Sequence, residues 1–353
     1  MKSRYRVHNA YNTKNRFALL ILAHDESVVI RDTVAAANQA LTAGDTLFVV
    51  ADNCSDDTVA KAQNAGARVI VRNTGAANGK GEALEWFLSQ YSDELLNYFM
   101  VVILDADSMI SPDFIRIINS NVSEESQALQ CFVYPLYENK APIGKLAAFS
   151  ELLDQYLSDN IRTALGWPVR LRGTGMVIKP EVLIKMGNRL QTKVEDIALS
   201  LLLTARGIRI QRINDAIVFD PKPRTSDTAA RQRARWFRGQ WQAMWQYRQE
   251  VVRVLVKGPA GWSLLSSLFL KPKWLVLTTS LLLALTLSHW PWLSLFFGIH
   301  FILGVLYVFL GLSLIPDRKL FMRAMFHAPA YVWMWLKGIT LSFRPSSWLR
   351  ARK

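Results

Sequence analysis

The sequence predicts an α/β domain built on a doubly wound, parallel sheet and followed by apolar helices. Three features lead to that prediction. From Phe17 onward, short apolar runs alternate with helix-period stretches, the rhythm of a parallel sheet with right-handed crossovers. The stretch from Tyr98 to Ser108, YFMVVILDADS, is an apolar run, β-branched at its centre, that stops abruptly at Asp105 and Asp107. Such a run reads as a strand buried on both faces. From Trp274 to Ile315 there is no Asp, Glu, Lys or Arg, enough for two membrane spans of about 20 residues each.

The 353 residues suffice for one large domain or two smaller ones. Lys and Arg outnumber Asp and Glu by 42 to 28, a formal charge of +14. That excess suits a polyanionic partner: nucleic acid, an anionic membrane face or a phosphorylated substrate. The 12 Trp favour the membrane, since Trp concentrates at the lipid–water boundary. Nucleic acid is not an expected partner, because the basic residues sit beside aromatic and apolar stretches and no recognition motif appears. Cys54 and Cys131 are far apart, which argues against a disulfide framework or a zinc site and fits a reducing cytosolic setting. The basic segment 1–16 leads into only a short apolar run before His24, Asp25 and Glu26, so it reads as the approach to a strand and not as a signal peptide.

In order, FALLILAH is the first strand, Glu26 to Leu41 a helix, TLFVVAD the second strand, and Ser55 to Ala65 a helix. ARVIVRN is the third strand, Gly81 to Tyr91 a helix, and YFMVVIL the fourth strand. Polar groups follow each strand: His24, Asp25 and Glu26; Asp52 and Asn53; Asn73 through Lys80; Asp105 and Asp107. Ligands of open α/β sheets gather at these ends. Two acids one residue apart make a compact hard-oxygen site for a divalent cation holding a diphosphate; the plain alternative is a strand ending in solvated turn residues. Glu26 and Asp52 would take the base and ribose of a nucleotide, and Lys80 its phosphates. Singly, Asp52 reads as a turn acid and Lys80 as a solvated lysine; four polar ends in register point to a ligand. There is no GxGxxG or GxxxxGK[ST], which argues against a dinucleotide enzyme and a P-loop NTPase.

Past Ser111-Pro112, a helix start, come a fifth strand, ALQCFVYPLY, and an amphipathic helix from about Ile143 to Leu165. In RLRGTGMVIKPEVL, Gly173 and Gly175 permit close approach of backbone to a ligand. In KVEDIALSLLLTARG, Glu195 and Asp196 open a helix, either as acids favoured by its dipole or as a base that deprotonates an acceptor hydroxyl. After the strand IRIQRINDAIVF, Gln232, Arg235 and Trp236 share one helix face. They would clamp a diphosphate and offer a flat surface to a sugar; with Trp241, Trp245, Arg231, Arg238 and Arg248 the same helix also reads as interfacial. Lys271 and Lys273 precede the long apolar stretch, SHWPW breaks it, and Arg318, Lys319 and Arg323 follow it, so both ends are expected in the cytoplasm. Phe321 to Leu341, with Arg323, His327, Pro329 and Lys337, reads as an interfacial or re-entrant helix, with a third span as the alternative.

In their order, ILAHDES, DNCSDDT, GKGEAL, DAD, the Glu195-Asp196 pair and Gln232-x-x-Arg235-Trp236 resemble the family 2 glycosyltransferases of the GT-A fold. The likeness is to the membrane-attached branch with the cellulose, chitin and hyaluronan synthases, and it covers Phe17 to Trp241. It implies that Asp52, Lys80 and Asp105 contact a nucleotide-diphosphate sugar, UDP-linked in that branch, and that Asp107 with Asp105 holds Mg²⁺ or Mn²⁺. It makes Asp196 the general base, with Gln232, Arg235 and Trp236 on the leaving diphosphate and the acceptor. Glu26 joins the expected donor site; Glu195, Gly173 and Gly175 join the acceptor site.

The expected segments are 17–225, the GT-A catalytic domain; 226–273, the QxxRW and interfacial helices; 274–315, two transmembrane helices; and 316–353, an interfacial or re-entrant helix with a basic tail. The expected activity is inverting transfer to a lipid-linked or polysaccharide acceptor at the cytoplasmic face of the plasma membrane. Partner subunits or a homo-oligomer are compatible with it. Processive synthases carry transmembrane helices before the catalytic domain and several after, so two after and none before favour single addition or short extension. The alternatives are a processive synthase subunit and a non-catalytic sugar-nucleotide-binding accessory subunit.

Overall fold

The computed structural model describes residues 15–75, 79–138, 142–223, 225–268, 273–316 and 318–343. The basic segment up to residue 14, Lys271 and the basic tail beyond 343 lie outside the described residues. The chain divides into two compact units, neither continuous in sequence: Met1–Tyr134, Pro168–Asp220 and Tyr247–Gly261 form the first, and Pro135–Trp167, Pro221–Gln246 and Trp262–Lys353 the second.

In the first unit, β1 (Phe17–Ala23), β2 (Thr46–Asp52), β3 (Arg68–Arg72) and β4 (Met100–Asp105) alternate with α1 (Ile30–Ala40), α2 (Thr58–Asn64) and α3 (Lys80–Leu95). β1 pairs in parallel with β2 and β4, and β2 with β3. Every residue of β1 is buried, so it reads apolar throughout with no alternation. α1 starts later than Glu26 because Glu26 first forms a turn, its carbonyl accepting the N–H groups of Val29 and Ile30.

Beyond β5 (Met109–Ile110), α4 (Phe114–Asn121) and β6 (Ala128–Leu136), the chain forms α5 (Pro142–Leu153), a π-helical stretch (Asp154–Asp159) and α6 (Asn160–Ala164) of the second unit. It returns as β7 (Met176–Ile178), α7 (Pro180–Gly187), α8 (Glu195–Ala205) and β8 (Ile210–Pro221). The sheet order is β3-β2-β1-β4-β7-β6-β8-β5. The all-parallel expectation holds for its first half alone: β7 is antiparallel to β4 and to β6, and β5 to β8. Met-Val-Ile in β7 has the composition of a buried strand, but composition carries no information on direction.

α9 (Ser226–Gln246) belongs to the second unit; α10 (Arg248–Leu255) returns to the first, and α11 (Pro259–Leu268) follows. The chain ends in α12 (Lys273–Thr286), α13 (Pro291–Leu314), α14 (Arg318–Ala324) and α15 (Ala328–Ser342). α13, with 24 residues, is long and apolar enough to cross a membrane; α12 alone has 14, about 21 Å of helix against a hydrocarbon core of about 30 Å, and reaches the length and composition of a span only together with α11, as a bent pair. The break ahead of Pro291, which opens α13, shortens α12 from its C-terminal side. α15 buries Tyr331, Met334 and Trp335 among Ala229 and Ala230 of α9 and Ile143, Leu146 and Ala147 of α5. Gly338 makes the approach close, since a Cβ there would sit 3.0 Å from the Arg233 Cβ and 3.2 Å from the Ala230 carbonyl oxygen.

Candidate active site

Parallel pairing aligns the strand ends: Asp52 lies opposite Arg72, and Asp105 opposite Leu22. Asp52 is buried and its Oδ1 accepts from Arg72 Nη1 at 2.6 Å and from Asn53 Nδ2 at 2.9 Å. Arg72, 5% exposed, is also 3.6 Å from Glu82. Sequence reasoning missed Arg72, which looks like an ordinary strand residue until pairing sets it beside Asp52. Next to this pair, His24 Nδ1 is 2.6 Å from the Asp52 carbonyl oxygen, and the Glu26 N–H donates to Thr58 Oγ1 at 2.7 Å. Asp25 and Asn53 take left-handed φ values of 51° and 48°, which Asp and Asn tolerate better than most residues.

One ligand oxygen from each of Asp105, Asp107 and Asp220 falls within 4.8 Å of the others. Asp220 had not been singled out; it arrives because β8 runs antiparallel to β5, with Phe219 opposite Met109. Three carboxylates make a hard, all-oxygen donor set, which fits Mg²⁺ or Mn²⁺. The turn bearing the first two is closed by the Ser108 N–H donating to the Asp105 carbonyl at 3.1 Å and held by Thr33 Oγ1 donating to the Ala106 carbonyl at 2.8 Å. Lys80, the first residue of α3, forms an ion pair with Asp105. Burial pulls its pKa down, but Asp105, Glu195 and Asp107 outweigh that and hold it well above the usual lysine range. The ammonium stays charged, as a phosphate ligand must. Gly81 has a packing reason: a Cβ there would overlap the carbonyl oxygens of Leu190 and Thr192, at 2.0 and 2.6 Å.

Glu195 and Asp196 open α8, but Glu195 is not a solvated dipole acid, being 6% exposed. Burial first, then Asp196 and Asp105, push its carboxyl up to about 7 against the pull of Lys80. Burial also raises Asp196, aided by Asp105 and opposed by Arg170 and by the Ile197 N–H that its Oδ1 accepts at 2.9 Å. Gly173, at φ +81°, faces this pair: a Cβ there would lie 3.9 Å from Glu195 Oε1. The space a Gly175 side chain would need is filled by Val218 Cγ2 at 2.8 Å and Cys131 Cβ at 3.1 Å, so core packing accounts for that glycine.

Lys80, Asp105, Asp107, Asp220, Glu195 and Asp196 thus meet in the first unit. Gln232, Arg235 and Trp236 lie on α9 in the second. There Arg233, which sequence reasoning passed over, stacks on Trp236 at 4.5 Å and on Trp335 at 5.2 Å, and its Nη1 donates to Gln232 Oε1 at 2.9 Å.

Residues 15–239 match the family model described as glycosyltransferase-like family 2. The chain belongs to that family. Among solved structures, this family 2 glycosyltransferase is similar to the mannosyltransferase of Pyrobaculum calidifontis in complex with GDP-Man and Mn²⁺, at 15% identity and TM-score 0.59, over 97% of this chain and 92% of that one. At that identity the likeness is one of fold, a GT-A-like mixed α/β sheet. Weaker matches are glucosyl-3-phosphoglycerate synthase of Mycobacterium tuberculosis with Mn²⁺, UDP and glucosyl-3-phosphoglycerate (19% identity, TM-score 0.43, 72% and 85% of the two chains) and S. aureus TarS 1-349 with UDP-GlcNAc (13%, 0.44, 68% and 66%). No curated protein sequence matches the chain significantly.

Proposed function

We propose that this glycosyltransferase inverts the anomeric centre as it moves a sugar from a nucleotide-diphosphate donor, UDP-linked by its likeness to the membrane synthases, to a membrane-held acceptor. The observation that supports this most is the meeting of Asp105, Asp107 and Asp220 with Lys80 beside the buried Glu195 and the half-buried Asp196. Asp105, Asp107 and Asp220 would hold Mg²⁺ or Mn²⁺, which supplies positive charge to a diphosphate. Asp52 and Glu26 line the nucleotide end, and Lys80 takes up phosphate charge. Asp196 accepts the proton of the acceptor hydroxyl, whose oxygen bonds to the anomeric carbon as the bond to the diphosphate breaks. Its pKa is raised above the usual aspartate range by burial, which makes its carboxylate a better acceptor for a hydroxyl proton. Glu195 and Gly173 flank the acceptor. The roles of Gln232, Arg235 and Trp236 rest on the resemblance alone.

The membrane setting belongs to the same proposal. In its favour, the long face of α13 is exposed and apolar, and Trp290 and Trp292 stand exposed at one end. Beyond its other end, the exposed Arg323 accompanies Phe326 and Trp333, exposed by 87% and 69%, a mix of basic and aromatic residues that suits an anionic cytoplasmic leaflet.

The test is nucleotide release by the full chain in lipid bilayers, with UDP- and GDP-sugars, with Mg²⁺, Mn²⁺ or EDTA, and with or without lipid extract from its source. Metal-dependent release from one donor that rises with the extract is the expected result, and product size separates single addition from polymerisation. Asp196→Asn is expected to slow transfer by about 10³-fold while leaving donor binding intact; loss of donor binding instead would assign Asp196 a structural part.

A further inference from the structure

The segment Leu171 to Gly175 is tied by buried side chains to both groups of acids. On one side, the Leu171 N–H donates to Ser200 Oγ at 3.0 Å, and Ser200 Oγ donates to the Asp196 carbonyl at 2.7 Å. On the other, Thr174, 2% exposed, reaches the turn that carries Asp105 and Asp107. Its Oγ1 accepts the Asp105 N–H at 3.2 Å and lies 2.9 Å from Ser108 Oγ. One hydroxyl therefore grips both ends of that turn.

Thr174 is itself fixed. Gln130, equally buried, donates from Nε2 to the Thr174 carbonyl at 2.9 Å and accepts the Arg172 N–H on Oε1 at 2.9 Å. The glycines on either side take φ values of +81° and +64°, a backbone that β-branched or bulky residues avoid. A threonine that only fills a core commonly returns its hydroxyl to a nearby carbonyl of its own element. Thr174 instead bonds residues 69 and 66 positions away: Asp105, itself an acid of the cation site, and Ser108, next to Asp107.

We propose that Thr174 is a positioning residue for the divalent cation. Its hydroxyl, held by Gln130, sets the Asp105–Ser108 turn so that the carboxylates of Asp105 and Asp107 present themselves together with Asp220. Outer groups that orient metal ligands commonly change metal affinity as much as modest changes to the ligands do. This rests on the reading of the three acids as cation ligands.

The experiment is Mn²⁺ titration of the full chain in detergent with UDP or GDP present, reading free Mn²⁺ by its EPR signal. Thr174→Val keeps the shape and removes the hydroxyl, and is expected to weaken Mn²⁺ binding by about tenfold. Thr174→Ser, which restores the hydroxyl, should bind as the natural protein does. Asp107→Asn should lose binding, and it probes the cation site independently of Thr174. Wild-type affinity in Thr174→Val, whatever its thermal stability, overturns the positioning role while leaving the cation site standing if Asp107→Asn still fails to bind. Equal losses in the Val and Ser variants also overturn it, since the hydroxyl would not be the cause. Undiminished binding in Asp107→Asn removes the cation reading and this proposal with it. Should Thr174→Val not fold, Ser108→Ala decides: a smaller loss in the same direction supports the role, and unchanged affinity overturns it.

Discussion

In the first unit β1 and β4 bury almost every side chain and leave their polar groups at the strand ends, whereas in the second α13 leaves most of its apolar surface exposed. The first closes on itself: its charged groups at the strand ends pair internally, as Asp52 does with Arg72 and Lys80 with Asp105. In the second, α15 packs on α9 and α5, and α13 packs on α12 while keeping an exposed apolar face. Burial of apolar surface is the main favourable term in folding, and the exposed face of α13 is what favours the membrane setting proposed above. The contrast is between a part that presents charges at fixed places and a part that leaves apolar surface uncovered.

That contrast can be broken in three ways. Asp52→Asn leaves Arg72 buried beside a neutral partner, and is expected to cost the first unit about 3 kcal/mol, read by urea unfolding of the full chain in detergent. A loss below about 1 kcal/mol would mean that Glu82, 3.6 Å away, already neutralises Arg72. In the second unit, Gly338→Leu puts a side chain where Arg233 and Ala230 already stand and is expected to cost about 2 kcal/mol by overpacking. The change should appear in Trp fluorescence, because Trp335 and Trp236 both stack on Arg233. An unchanged spectrum and midpoint would show that α15 is only loosely seated.

The third effect is one of pH. The folded Glu195 keeps its proton up to about 7, while the unfolded chain releases it in the ordinary carboxylate range. Its contribution to stability is therefore full at low pH and is lost as pH rises from about 4.5 towards 7. Between those values the midpoint of Glu195→Gln should fall less than that of the natural chain, by differential scanning calorimetry without metal. Parallel curves would place Glu195 in contact with solvent.

Much of the first half of the sheet was legible because each of its strands is bounded by a change in composition that also marks its chemistry. Asp105, Asp107 and Lys80 could be chosen from the residues since they sit at such boundaries. Asp220 could not be chosen: it ends a strand whose antiparallel pairing with β5 is what brings it to the other two acids. Arg72 and Arg233 were hidden for a similar reason, as each is defined by a partner distant in sequence or across a helix packing surface. Gly175 shows a further limit, because a glycine required by packing, as its contacts with Val218 and Cys131 require, and one required by a ligand look alike in a sequence.

Local composition was enough to settle the βα rhythm, the polar strand ends and the apolar stretch that forms α13. These follow from short-range periodicity and residue chemistry, which the chain carries wherever it folds. Strand direction beyond β4, the third acid of the cation cluster, the raised carboxyl of Glu195 and the stacking of Arg233 between two indoles arise only when distant segments meet. They depend on burial and on pair distances, which are properties of the packed molecule.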